Sequence, residues 1–128
     1  MPISHSQRNT VSSNSLQING ALDLSGDTEV NVVETLAAGA TNVNRPLALD
    51  VSQVVSFAMV ATQACVVKTN SSGSPANTIN LAANVPYVWN SQSYDTFKLT
   101  TDVTALFLTN SSGTTACEFR MVALSETP

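Results

Sequence analysis

The sequence predicts an all-β protein, and three observations carry that prediction. Short apolar runs recur along the chain, several with strict period-two alternation. Turn chemistry separates them at intervals of about 8–12 residues, the spacing of a sandwich, a jelly roll or a small barrel. Charged residues make up only 11% of the chain, so Ser, Thr and Asn supply most of its polarity. These side chains compete with a helix backbone for hydrogen bonds, whereas Thr packs well on a pleated strand. No long helix can be drawn without crossing Gly, Pro or β-branched clusters.

Residues 1–13 are polar and show no periodicity, so they read as a flexible or partner-ordered N-terminal arm. Residues 14–128 read as one β-sandwich domain. A 128-residue chain buries about two-thirds of its unfolded surface and can build a core without staples. Leu16-Gln17-Ile18 is the first run, closed by Asn19-Gly20, a strong turn signal because both residues tolerate positive φ. Ala21 to Leu24 leads into a second turn at Ser25-Gly26-Asp27. Thr28 to Val32 alternates as a half-buried strand, and Thr35 to Val43 reads as a loop interrupted by Gly39 and Asn42. Pro46 to Asp50 fits an edge strand, where the missing donor of proline is tolerated. Strands then follow at Val54–Val60, Ala64–Thr69, Ile79–Leu81, Tyr87–Trp89, Phe97–Thr100, Val103–Thr109 and Ala116–Leu124. In the last of these Cys117, Phe119 and Met121 share one face, while Glu118 and Arg120 share the other.

The net charge is −4, and the five basic residues (Arg8, Arg45, Lys68, Lys98 and Arg120) are scattered. Without a basic stripe the chain lacks the footprint of a nucleic-acid or anionic-lipid binder. No apolar run approaches the roughly 20 residues that span a bilayer. The N-terminus has no apolar leader segment, so synthesis in a host cytoplasm is expected. Cys65 and Cys117 each fall inside an apolar run, which favours core thiols; sequence leaves a bridge between them open.

No constellation for catalysis emerges, and the expected reading is non-enzymatic. The single histidine, His5, sits in the arm, where nothing local fixes the geometry that a Ser-His-Asp triad needs. There is no metal-ligand spacing of Cys and His, and no cofactor is expected. Asp23 and Asp27 bracket a turn and could offer oxygens to calcium, but turn formation explains them as well. Glu29 and Glu34 differ in parity and should point to opposite faces of one strand. Asp50, Asp95 and Asp102 stand at strand ends as caps or turn formers.

A local repeat links two loops: Thr69-Asn70-Ser71-Ser72-Gly73 returns as Thr109-Asn110-Ser111-Ser112-Gly113. Two similar hairpin loops account for it; a paired contact surface at one end of the sandwich is the alternative. Both copies match an Asn-x-Ser glycosylation pattern, which means little without a secretory leader. Tyr87 and Trp89, two residues apart, share a strand face as core or interface anchors, or as a sugar-stacking platform.

From Val54 to Leu124 the pattern resembles a group of small structural proteins of tailed-phage virions. The stretches that carry it are Thr69-Asn70-Ser71-Ser72-Gly73-Ser74-Pro75, Asn77-Thr78-Ile79-Asn80-Leu81-Ala82-Ala83, Val85-Pro86-Tyr87-Val88-Trp89 and Thr101 to Gly113. The resemblance implies a jelly-roll-like β-sandwich of about eight antiparallel strands with an extended N-terminal arm. It implies a capsid decoration (cement) subunit on the virion surface, a homotrimer that binds the major capsid protein and copies of itself. Nucleic acid, membrane and glycan are not expected partners. The candidate contacts are Ile3, His5 and Arg8 of the arm and Asn70, Ser71, Asn110 and Ser111 of the loops, with Tyr87 and Trp89 as anchors. The alternatives are a tail, connector or host-recognition component of the virion, or a carbohydrate-binding module using Tyr87 and Trp89.

Overall fold

The computed structural model describes residues 2–127, so Met1 and Pro128, the outer limits of the two expected segments, lie outside the description. Ten strands and one 3-10 turn make up the regular structure. The strands are β1 (Ile3–Ser12), β2 (Gln17–Gly26), β3 (Thr28–Leu36), β4 (Val43–Leu49), β5 (Val54–Ala61), β6 (Cys65–Thr69), β7 (Thr78–Leu81), β8 (Tyr87–Asn90), β9 (Val103–Asn110) and β10 (Cys117–Ser125). Two four-stranded antiparallel sheets, ordered β3-β10-β5-β8 and β4-β9-β6-β7, form a sandwich, and β1 and β2 form a separate hairpin. Within the sandwich the first strand, β3, pairs with the last, β10, then β4 with β9, β5 with β8, and so inward to β6 with β7. The chain is therefore one long antiparallel ribbon wrapped into two layers.

The alternation seen in the sequence becomes the core. Phe57, Met59, Phe119 and Met121 face inward from one sheet, and Val67, Leu106 and Leu108 face them from the other, all at most 4% exposed. Phe97 and Leu99, expected in a short strand, lie instead in an irregular segment whose two apolar side chains are buried. Phe97 stacks on Trp89 with ring centroids 4.4 Å apart and meets Phe57 edge-on at 5.1 Å. That segment seals the open end of the core beside β8, and its apolar residues need no ladder partner to do so. Asp50 and Asp102 act as caps: Asp50 accepts from the Ser52 amide at 3.0 Å, and Asp102 from the Val51 amide at 3.0 Å.

Two local readings are corrected. Residues 3–12, expected as an arm without periodic structure, form β1, paired residue by residue with β2 from Ile3–Gly26 to Ser12–Gln17. Asn19-Gly20, expected as a turn, lies inside β2; the reversal falls at Ser13–Leu16, where the Ser13 hydroxyl accepts from the Leu16 amide at 3.0 Å. The Asn-Gly signal is local, and it lost to a ladder supplied by a partner strand. The cross-strand pairing leaves Asn19 and Gly20 as ordinary strand residues opposite Thr10 and Asn9.

Candidate functional site: a clasped hairpin and an open sheet face

The β1–β2 hairpin runs across the outer face of the β3-β10-β5-β8 sheet. Alternation puts Ile3, His5 and Gln7 on its inner face, together with Leu22, Leu24 and Gly26 from β2. Beneath them lies the last outward row of the sheet, in which Leu124 pairs with Glu29 on one side and Ser56 on the other. Leu124 points out of the sandwich yet is fully buried, because the hairpin base covers it. The approach is close enough to demand glycine at position 26, where a Cβ would meet the Ser125 carbonyl oxygen at 2.5 Å and Leu124 at 3.0 Å.

Polar side chains clasp the base in place. His5 donates through Nε2 to Glu29 Oε2 at 2.6 Å, and its Nδ1 meets the Ser56 hydroxyl at 2.9 Å. Gln7 donates to Ser56 Oγ at 2.9 Å and to the Trp89 carbonyl at 3.0 Å, and its own carbonyl accepts from Asn90 at 2.7 Å. The clasp thus reaches across the sheet, from β3 at Glu29 to β8 at Asn90. The hydrogen bond from His5, then that from Asn31, holds the Glu29 carboxyl below the usual glutamate range.

This arrangement corrects the reading that nothing fixes the geometry of His5. A histidine between a serine and a carboxylate has the partners of a hydrolytic triad. Here, however, Ser56 is 2% exposed beneath Gln7, which donates a second hydrogen bond to the same Ser56 oxygen. Freeing that hydroxyl means lifting the hairpin, and His5 would leave with it. The chemistry available to the group as it stands is therefore that of a latch. Among the described residues no group of three or more His, Cys, Asp or Glu side chains is placed to hold a metal ion. Asp27 accepts from Thr127 and Thr28, and the Thr127 hydroxyl foremost lowers its pKa. Glu29 and Glu34 do face opposite ways: Glu29 toward the hairpin, Glu34 toward Arg45 of β4 at 3.2 Å.

Beyond Arg8 the hairpin leaves the sheet. Residues 8–21 are exposed, and Val11, Leu16 and Ile18 are 67%, 64% and 61% accessible. Val11 and Ile18 are cross-strand partners on the same inner face as His5 and Gln7. Arg8 lies on the outward face, the same side as Asp23. On the sheet itself the outward residues not covered by the hairpin line an apolar groove of about 330 Å³ between β3 and Pro86. Val33, Ala58, Val60, Pro86 and Val122 dominate it. Its one charge, Arg120, is tied back to Glu118 at 2.6 Å.

The other sequence-derived candidates lie elsewhere. The two Thr-Asn-Ser-Ser-Gly loops sit at opposite ends of the sandwich. This corrects the alternative of a paired surface at one end: β6 and β9 are antiparallel neighbours, with Cys65 opposite Asn110 and Thr69 opposite Leu106, so their trailing loops diverge. Asn70 adopts φ 70° and braces its loop on β9, donating to the Asp102 carbonyl at 2.8 Å and accepting from the Thr104 amide at 2.8 Å. Ser71 accepts from the Ser74 amide at 3.0 Å. Asn110 is 2% exposed and donates to the carbonyls of Ala37 and Thr115, whereas Ser111 is exposed. Tyr87 and Trp89 face inward; Tyr87 accepts from the Lys98 amide at 3.0 Å, and Trp89 donates to the Asp95 carbonyl at 3.0 Å. The sequence missed Glu29 and Ser56 as partners of His5, and Gln7 as a second partner of Ser56. The one available hint was a serine inside the apolar run Val54–Val60, a buried polar group that must find a partner.

Cys65 and Cys117 are both free and buried. Burial foremost, with Cys117 beside it, pushes the Cys65 thiol up to about 12. The Cys65 thiol is thus a packing group at neutral pH.

Compared with family models, curated proteins and solved structures, the chain gives no match in any of the three.

Proposed function

We propose that this chain is a non-enzymatic structural subunit of a tailed-phage virion, a decoration subunit that binds the outside of the assembled capsid. The reading takes the eight sandwich strands as a jelly roll, which the orders β3-β10-β5-β8 and β4-β9-β6-β7 support. The observation that carries it is the hairpin: a rigidly clasped base with an apolar tip that overhangs the domain. A two-stranded ribbon is marginal in water by itself, and exposed apolar residues at its tip are the mark of a segment completed by a partner. A subunit that binds only the assembled shell stabilises it by mass action, and a symmetric oligomer adds avidity from modest single contacts. The sequence resemblance supplies the virion context, and the low charge suits dense packing against a lattice.

Two experiments test it. Immunogold electron microscopy of intact particles should place label over the heads. Label confined to the tail or to one vertex would transfer the chain to a tail or host-recognition role, and particles without label would remove the virion reading. Purified protein should also co-sediment with assembled shells. Deleting residues 10–19 should abolish co-sedimentation while leaving the sandwich folded. That deletion joins Asn9 to Gly20, opposite partners in the ladder, and so creates an Asn-Gly turn of the kind a two-residue hairpin prefers.

A further inference from the structure

The exposed apolar residues of this molecule are not scattered. Of the large hydrophobic side chains that remain exposed, Val11, Leu16 and Ile18 are on the hairpin tip. Val33 and Val88 are on the outer face of the β3-β10-β5-β8 sheet, and Val85 precedes Pro86 at the rim of its groove; among the described residues Tyr94 alone lies elsewhere. Two unpartnered apolar surfaces therefore exist, one convex and narrow, the other a groove. Each is nearly free of charge. On the tip, Arg8 and Asp23 are both on the face turned away from Val11 and Ile18. In the groove, Arg120 is neutralised by Glu118.

We propose that the tip of one copy docks in the groove of a second copy of this chain. The hairpin base is the precedent. The same inner face of the same hairpin already packs, in each copy, on the adjoining row of this same sheet face, where it buries Leu124. The groove is made by the next two outward rows of the same sheet face, Asn31-Val122-Ala58 and Val33-Arg120-Val60, and Val11 and Ile18 are the continuation of that hairpin face. A tip laid on Ala58, Val60 and Val122 of another copy repeats the chemistry of the base without a new kind of contact.

The chain cannot satisfy its own groove. The ladder from Ile3–Gly26 to Ser12–Gln17 is continuous and without a bulge, so the ribbon has no place to fold back. It crosses the sheet toward β8 and continues for about 14 Å beyond Arg8, at about 3.4 Å per residue. That overhang carries the apolar pair past the edge strand and away from its own groove. Tip and groove are different surfaces, so two copies either exchange tips across a two-fold axis or join head to tail. Head-to-tail contacts close into a ring when the rotation allows and otherwise extend into a filament. The low net charge leaves little repulsion to oppose either.

The inference rests on the proposed function only in taking copies of the chain as partners; it needs no shell. The test uses purified full-length protein and two variants, with near-ultraviolet circular dichroism of the Trp89 environment confirming that each folds. Sedimentation equilibrium should show the wild type associated, as a closed oligomer or a filament. The chain lacking residues 10–19 and the groove variant Val60→Glu should each be monomeric. Mixed together, these two should form a one-to-one pair, because one still has a groove and the other still has a tip. A monomeric wild type, or variants that fail to pair, overturns the docking. If the wild type is monomeric but tip deletion still abolishes shell binding, the capsid occupies the tip, and the decoration reading survives alone. An assembly that forms as described but binds no shell reverses that outcome.

Discussion

The base and the tip of the hairpin carry similar inner faces and meet opposite fates. At the base Leu22, Leu24, His5 and Gln7 lie on a sheet that offers Leu124, Ser56, Glu29 and Asn90, and every polar group on that face finds a partner within the chain. At the tip Val11 and Ile18 continue the same face over nothing. The ladder hydrogen bonds are the same in both halves. The difference is what lies underneath, and it shows that pairing alone does not place a two-stranded ribbon; a third surface does.

Variants that weaken the base should break this comparison most strongly. Leu124→Ala removes the outward side chain that the base covers, and a loss of about 2–5 kcal/mol in urea unfolding is expected for a buried leucine. Val122→Ala, one outward position along β10 and not under the hairpin, should lose only about 0.8 kcal/mol. Equal losses at the two positions would mean that the hairpin does not protect Leu124 in solution.

Gln7→Ala should come next. It takes one acceptor contact from the Trp89 carbonyl and leaves the Asn90 side-chain amide without its acceptor, at a cost of about 1–3 kcal/mol. Faster amide exchange along β1 and β2, with the β6–β9 ladder unchanged, is the expected signature.

A smaller effect follows from pH. The Glu29 carboxyl is held below its ordinary range by His5 and Asn31, so its contribution is fully present above the ordinary glutamate value. It is lost as pH falls through the lowered folded value. Amide exchange in the hairpin base should therefore accelerate on acidification through the carboxylate range, and Glu29→Gln should flatten that dependence. An unchanged profile in the variant would show that the clasp does not depend on this carboxylate.

The smallest effect on the fold belongs to the tip. Val11→Ser combined with Ile18→Ser should change the stability of the dissociated chain by no more than about 0.5 kcal/mol, as expected for exposed positions. The same pair should prevent self-association. A large loss of monomer stability would mean that the tip is supported from within the chain.

Much of the sandwich was legible in the sequence. The runs at Val54–Val60, Ala64–Thr69, Val103–Thr109 and Ala116–Leu124 alternate or concentrate β-branched residues, and each became a strand within one or two residues of its expected bounds. Phe119 and Met121 were placed on one face by parity alone, and that face is the buried one. The hairpin was not legible. β1 is polar along most of its length because only His5, Gln7 and Ile3 meet the sheet, so its burial leaves no periodic trace in hydrophobicity. Phe97 and Leu99 misled in the opposite direction, since a buried loop segment needs the same apolar residues as a strand.

What the sequence determined by itself was the all-β class, the inward set of side chains and the lack of any basic stripe. These follow from short-range pattern, because alternation and turn chemistry act within a few residues. Only the tertiary structure decided that His5 meets Glu29 and Ser56, that the two Asn-Ser-Ser loops diverge, and that Val11 and Ile18 overhang an edge. Each depends on which distant strands become neighbours, and β-sheet pairing is a long-range choice that no local stretch of chain records.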